Sequence, residues 1–420
     1  MEQKKTECKI CNSPNATEVI SFGQMPVANA FLKEEDLKNE EFTYPMGVSF
    51  CPDCKMLQLT EVVPYSKYIV PDETGTRNYA FFSSSSNQAM KEHYANMASE
   101  ITSRFLENKD QVLEIGSNDG IMLQAFKKNK VLGIEPSHNV AEVARAKGIE
   151  TLTEFFTEDF AKNVAKEKGL FKTIATTNVF LNIIDMHDFL NGVTTLLDKK
   201  GVFVTEDPYV PKILSDVAYD QIYDEHIWYF SLHSLENLFK AHGMRIFDAE
   251  EQWVHGGSMR VYACKDGEYE PSARVKEYLE QETREGIDTI KPYLEFSEKV
   301  RESKEKLSSL LKELKKDGKK LVGYGASSKG TIVCNFCGIG NGTLDYIADS
   351  TPFKFGKYSP GKHIPVVSQE EVFQKDNPDY AVLFIPNHLE AVMKKEQAFL
   401  KRGGRFITHW PEVGIIPYNE

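Results

Sequence analysis

The sequence predicts an α/β chain in three parts. A small cysteine-bearing domain spans residues 1–70, a large domain with an open parallel sheet spans 71–265, and linker helices with a second, smaller α/β unit span 266–420. Three observations predict it. Four of the seven cysteines lie in the first 54 residues as two C-x-x-C pairs. Short apolar runs alternate with amphipathic helical stretches between Gln111 and Cys264. The same alternation restarts at Lys320, after a charged helical stretch. With 420 residues, 41% hydrophobic and 27% charged, the chain has the mass and composition for several packed cores.

The first part needs a staple. Cys8-Lys-Ile-Cys11 and Cys51-Pro-Asp-Cys54 frame turn-rich sequence with short strand-like pieces at 17–22 and 47–50, too little apolar mass for an independent core. Zinc is d10 and tetrahedral, and each C-x-x-C turn presents two sulfurs on one side of a tight loop. Cys8, Cys11, Cys51 and Cys54 are therefore expected to hold a structural Zn2+ with all four positions filled. The alternative is two reduced or redox-active pairs. Cys334-Asn-Phe-Cys337 has the same spacing but no second pair nearby, and reads as two thiols on a helix.

In the second part, strands are expected at 111–115, 131–135, 173–177 and 201–206. Helices are expected at 121–128, 140–147, 158–166, 186–197 and 234–242, and two antiparallel-looking strands at 244–248 and 258–264 close the domain. A helix at 87–101 precedes it. The first strand runs into Glu114-Ile-Gly116-Ser117-Asn118-Asp119-Gly120, whose glycines allow a sharp turn and a close ligand. This is not the G-x-G-x-x-G that cradles a pyrophosphate. An acid just before the loop would repel a pyrophosphate and suits a ligand bearing an ammonium and a sulfonium. The next strand ends Gly133-Ile-Glu135-Pro136, where a carboxylate can accept both ribose hydroxyls. Together these point to S-adenosylmethionine (SAM), against the alternative of an ordinary tight turn. Glu154 and Phe155 are placed to hold the adenine, and Asn178 faces the same sheet edge.

Residues 267–318 carry Phe296, Val300, Leu307, Leu310, Leu311 and Leu314 on a helical stripe, the linker. The last part shows apolar runs at 320–324, 344–348, 381–386 and 405–409, and a helix at 390–402 stopped by Gly403-Gly404. After the strand at 201–206, which ends Glu206-Asp207-Pro208, lies Gln221-Ile-Tyr223-Asp224-Glu225-His226-Ile-Trp228-Tyr229-Phe230-Ser231. Its position over the cofactor cleft makes His226 a candidate base, which a neighbouring carboxylate can orient.

At this point the chain resembles the sugar C-methyltransferases, typified by the TDP-sugar C-3′-methyltransferases. The resemblance runs through Cys8-x-x-Cys11, Phe22-Gly-Gln-Met-Pro-Val-Ala-Asn29, Cys51-x-x-Cys54, Glu114-x-Gly116-x-Asn118-x-Gly120, Tyr223-Asp-Glu-His226-x-x-Tyr229-Phe-Ser231 and Gly323-Tyr-Gly325-Ala-x-x-Lys329-Gly330. It implies a class I SAM methyltransferase (Rossmann-like) domain flanked by a small zinc-binding domain and a second Rossmann-like domain. It implies SAM in the middle and a nucleotide-linked 4-keto sugar between the middle and C-terminal domains. His226 would remove the proton next to the ketone, the enolate would take the methyl group, and Glu225 and Tyr223 would orient or polarise the reacting groups. Ser84, Asn182, Tyr229, Gly325 and Lys329 would meet the sugar or its nucleotide, with backbone amides of 323–330 and Lys329 on the diphosphate.

Two departures bear on the substrate. Relatives carry a histidine where this chain has Asn182, and Tyr-x-Tyr where it has Ala80-Phe-Phe82. A phenyl ring donates no hydrogen bond and an asparagine shuttles no proton at neutral pH. O- or N-methylation, keto-sugar isomerisation, and a non-enzymatic SAM-binding module therefore stand as alternatives.

The charge excludes other classes. Lys and Arg number 50 against 62 Asp and Glu, a net −12, the opposite of a phosphate-tracking nucleic-acid binder. No run of eighteen apolar residues marks a membrane span, and the first residues lack an apolar signal-peptide core. A cytoplasmic protein with a small-molecule substrate is expected, a monomer by default with oligomers left open.

Overall fold

The computed structural model describes residues 4–67 and 88–418. The N-terminal strands are β1 (Lys5–Thr6), β2 (Ala16–Pro26), β3 (Thr43–Phe50) and β4 (Leu57–Leu59). The central part runs α1 (Gln88–Phe105), β5 (Gln111–Ile115), β6 (Lys130–Ile134), α2 (His138–Ala146), β7 (Thr151–Leu152), α3 (Glu158–Lys168), β8 (Phe171–Thr177), α4 (Met186–Leu196) and β9 (Leu197–Pro208). It continues with α5 (Val210–Ser215), β10 (Trp228–Tyr229), α6 (Leu232–Ala241), β11 (Met244–Gln252) and β12 (Ser258–Lys265).

Two knuckles shape the N-terminal part in the same way. Asn12 N–H donates to Cys8 O and Lys55 N–H to Cys51 O, both at 2.9 Å, and Asn12 and Lys55 both take positive φ, 57° and 66°. The antiparallel sheet has the order β1-β2-β3-β4-β10. Its last strand therefore comes from beside His226, pairing Trp228 with Gln58 and Tyr229 with Leu57.

The central sheet has the order β11-β12-β9-β8-β5-β6-β7. Five neighbours, β9 to β7, run parallel. Of the two closing strands expected to be antiparallel, only β12 is. It pairs antiparallel with both β9 and β11, so β11 runs parallel to β9. The reason is the connection: α6 carries the chain back before β11, and the hairpin return inserts β12 between β11 and β9. The helix expected at 121–128 is only a 3-10 turn, Leu123–Ala125. Phe126 leaves the helical region at φ −80° and ψ 75°, and β6 begins at Lys130, so the segment has no room for a longer helix.

The linker is α7 (Ala273–Glu285) and α8 (Lys291–Lys316). The stripe expected on the linker is buried on α8, with Leu310 half-buried at its edge. The last part holds β13 (Leu321–Tyr324), α9 (Ser328–Cys337), β14 (Ile347–Asp349), β15 (Val366–Ser368), β16 (Tyr380–Leu383), α10 (Leu389–Lys395), α11 (Gln397–Lys401), β17 (Arg405–Thr408) and β18 (Gly414–Ile415). Its sheet has the order β15-β14-β13-β16-β17-β18, parallel except for β18. The helix expected at 390–402 breaks at Glu396, whose buried carboxylate accepts from the Tyr324 hydroxyl at 2.9 Å and from the Gln369 amide. Cys334 and Cys337 lie buried on α9. Among the described residues, no helix is long and apolar enough to cross a membrane.

One core cluster joins the first and last parts. Val48 and Phe50 of β3, Val300 and Leu307 of α8 and Ile332 of α9 belong to it, and Phe50 stacks on Tyr293 of α8 at 4.5 Å.

Candidate active site

A cavity of about 710 Å3 opens at the carboxyl ends of the central strands. Ligands of open α/β sheets bind at such edges. Its two ends differ in chemistry.

At one end stand carboxylates. Glu114, Gly116, Ser117 and Asn118 reach the wall after β5, Glu135 and Pro136 after β6, Glu154 and Phe155 after β7, and Asn178 after β8. Glu135 is fixed by two backbone amides, Asn118 N–H at 3.0 Å and Ser137 N–H at 2.9 Å. Glu114 is 2% exposed, and its Oε2 has no protein partner among the described residues. Burial, with Asp119 and Glu135 close by, pushes the Glu114 carboxyl well above the usual range. A cationic ligand group reverses that penalty, so the donor set fits the ammonium and sulfonium of SAM and offers nothing to a pyrophosphate. Phe155 is stacked on Tyr65 at 5.0 Å, and Tyr65 lines the wall.

Gly116 is required twice over. Its φ is +73°, and a Cβ there would lie 2.4 Å from Val179 Cγ2. Gly116→Ala is expected to weaken SAM binding at least about tenfold by calorimetry, the equivalent of ~1.4 kcal/mol. Val179→Ala in the same chain should recover part of the loss, since it removes the clash but not the backbone strain. Gly120, expected on the cofactor, is not on the wall. A Cβ there would press on Ile149 Cγ1 at 3.2 Å and Ala144 Cβ at 3.3 Å, so this glycine serves packing of the turn.

At the other end stand Asn182, Tyr223, Glu225 and His226. His226 is 4% exposed. Its Nδ1 lies 2.9 Å from the Gln221 carbonyl, a group that only accepts, so Nδ1 carries the proton. Nε2 is then the basic nitrogen, and it accepts from the Tyr223 hydroxyl at 2.6 Å. Burial, and after it the charge of Lys329, lowers the His226 pKa to about 3. Burial and the carboxylates of Glu225 and Asp224 hold the Tyr223 phenol well above its usual range, so it stays a donor. Asp224 ties the segment to the N-terminal domain, accepting from Ala28 N–H at 2.8 Å.

A histidine kept neutral by burial destabilises the fold in acid. Its folded pKa lies below the ordinary 6.5, so between those values the unfolded chain binds more protons and stability falls as pH falls. At pH 5, 1.5 units below 6.5, His226 alone costs about 2 kcal/mol. Denaturant midpoints at pH 7.5 and 5.0 should show this, and His226→Gln should reduce the difference by about that amount.

Sequence reasoning missed four residues at this end: Trp253, His255, Asn387 and His388. His255 sits at φ 57° in the turn before β12, and its pKa is lowered to about 4 by burial and Lys329. Asn387 and His388 follow β16, at the carboxyl edge of the second parallel sheet. That placement was the available signal.

Several expected substrate residues are elsewhere. Tyr229 is buried in β10 with the N-terminal core, away from the wall. Gly325 has φ +90° and packs under Ile385. Two of the loop amides expected on a diphosphate are engaged: Ala326 N–H donates to Asp349 Oδ2 at 2.7 Å, and Gly330 N–H to Ser327 Oγ at 3.1 Å. Lys329 is off the wall but close enough for its charge to depress His226, His255 and His388. Ser84 and Phe82 lie outside the described residues.

The cysteines converge. Their sulfurs lie within 4.8 Å of one another, with Cys8 to Cys54 at 3.5 Å and Cys11 to Cys51 at 3.6 Å. Tetrahedral zinc with bonds of about 2.3 Å sets sulfurs roughly 3.8 Å apart. Backbone amides of Ile10 and Cys11 face the Cys8 sulfur, and those of Asp53 and Cys54 face Cys51. The cluster fits a structural Zn2+.

Comparison with known proteins adds the following. Residues 8–68 match a family described as "Putative zinc binding domain", residues 90–248 a methyltransferase domain, and residues 253–411 a C-methyltransferase C-terminal domain. C-methyltransferase NovU of Streptomyces niveus is 33% identical over 98% of this chain and 96% of its own. Among solved structures, a SAM-dependent methyltransferase from Clostridium acetobutylicum aligns at 14% identity and TM-score 0.34, covering 42% of this chain and 92% of its own. A magnesium protoporphyrin IX methyltransferase from Synechocystis, with bound SAM, aligns at 12% and 0.32, covering 42% and 79%. At those scores the two structures bear on neither substrate nor mechanism.

Proposed function

The chain belongs to the C-methyltransferase family, and on that premise we propose that this SAM-dependent enzyme methylates the carbon next to the ketone of a nucleotide-linked 4-keto sugar. The observation that carries the reading is the two-ended cavity, with buried carboxylates at one end and the basic nitrogen of His226 at the other. When bound, SAM supplies a methyl group as an electrophile on sulfur and leaves as the neutral thioether.

The remaining work falls to this chain. Glu114 and Glu135 hold the cofactor's ammonium and ribose, with Gly116, Ser117 and Asn118 forming the loop beneath it. Glu154, Phe155 and Asn178 form the rest of that end. His226 Nε2 takes the proton from the carbon beside the ketone. Its electron pair becomes the enolate that forms the new carbon–carbon bond. The Tyr223 hydroxyl, which donates to Nε2 in this structure, turns its donor to the developing enolate oxygen. A preorganised donor in a buried site stabilises such charge more than water does. Lys329, near His226, His255 and His388, adds the positive field that an anionic sugar nucleotide calls for.

The test is mass spectrometry of reactions with SAM and a panel of nucleotide-linked 4-keto sugars in deuterated water. Deuterium uptake without a methyl gain would instead make the enzyme a keto-sugar isomerase.

A further inference from the structure

The turn that fixes His226 is held from the C-terminal domain. Asp220 belongs to the 3-10 turn Tyr219–Gln221, and His409 follows β17. Both side chains are 0% exposed, and His409 Nε2 lies 3.0 Å from Asp220 Oδ2. Tyr219 packs edge-on against the His409 ring at 5.6 Å, and its hydroxyl lies 3.6 Å from Cys337 Sγ of α9. Lys329, also of α9, is a cation facing Asp220. Burial pushes the Asp220 carboxyl up, but the His409 hydrogen bond and the charge of Lys329 work against it and hold it below its usual range. The third residue of the turn faces the active site. Gln221 O accepts from His226 Nδ1, and Gln221 Nε2 donates to His255 O at 3.0 Å.

We propose that the Asp220–His409 pair is a positioning device: it lets the docked C-terminal domain hold the Gln221 carbonyl where it keeps His226 in the Nδ1–H form. Neither residue lines the cavity, so both act through Gln221. The inference rests on His226 being the base. In a neutral imidazole one nitrogen donates and the other accepts. If the turn shifts, the proton is free to move to Nε2, and the nitrogen that must take the substrate proton is blocked. The competence of the base then depends on a contact between residues 189 apart in sequence.

The experiment uses the full chain with 15N-labelled histidine and long-range 1H–15N correlation, which tells the two tautomers apart. His226→Gln identifies the His226 signals by their disappearance. In the wild type, His226 should be in the Nδ1–H form. His409→Ala and Asp220→Ala should shift it toward Nε2–H. His409→Gln, whose amide can still donate to Asp220, should keep the wild-type pattern. With a turned-over substrate, the two disrupting variants should lose about 10- to 100-fold in kcat with KM within about twofold, the signature of misplacement rather than lost binding. Wild-type His226 signals in a folded His409→Ala would overturn the proposal. Should that variant not fold, Asp220→Ala decides in the same way. The spectra need no substrate, so failure of the sugar reading leaves their outcome intact.

Discussion

His226→Gln is expected to slow methyl transfer by about 10^3-fold, within the range of about 10^2 to 10^4 for loss of a general base, while SAM affinity stays within about twofold. The expectation follows from the separation of the two cavity ends. Glu114, Glu135 and the 116–118 loop belong to the strand ends β5 and β6, and His226 to the segment between α5 and β10. A glutamine amide fills much of the imidazole's space and can meet the Gln221 carbonyl, but it has no nitrogen that accepts a proton at neutral pH. Single-turnover rates and SAM calorimetry on the same preparation check both halves. Equal loss of rate and SAM binding would mean that the cavity had collapsed and would remove His226 from the chemistry.

Removing zinc is expected to abolish activity although the metal sits outside the cavity. Structural zinc contributes on the order of 10 kcal/mol or more to small metal-stapled domains. Here the effect should spread, because the N-terminal sheet includes β10, two residues beyond His226, and Ala28 N–H holds Asp224. A chelator strong enough to strip the metal, or Cys51→Ser, should lower the melting temperature and leave less than about 1% of the activity, roughly a hundredfold loss in rate. Metal analysis should find one zinc per chain. A zinc-free protein with full activity would contradict the linkage between the zinc domain and the catalytic segment.

Much of this was legible in the sequence, for physical reasons. The strand β5 and the helices α3 and α4 carry regular apolar periods bounded by caps, such as Thr157 and Asp185, whose side chains accept from amides three residues on. The C-x-x-C pairs and the acid-glycine loop are local constellations, so spacing alone found Cys8, Cys51, Glu114 and Glu135.

What sequence reasoning missed depends on long-range geometry. The insertion of β12 between β9 and β11 is a property of topology, not of either strand's composition. His255 precedes β12 of the central sheet and His388 follows β16 of the last sheet, and the two share only the cavity wall. Gly120 and Gly325 look like ligand-loop glycines, yet Ile149 and Ile385 occupy the space beside them. Asp349 fills the amide position at Ala326 that a phosphate was expected to take. No local pattern reveals that a loop is already satisfied by its own domain.

The central claim is carbon methylation of a keto sugar with His226 as base. Its most direct test is the mass of the sugar after incubation with SAM and TDP-, GDP-, CDP- and UDP-linked 4-keto sugars, followed by NMR placement of the new group. The account predicts one added methyl on the carbon beside the ketone, formed far more slowly by His226→Gln. A methyl found on oxygen or nitrogen, or undiminished transfer by His226→Gln, would contradict it.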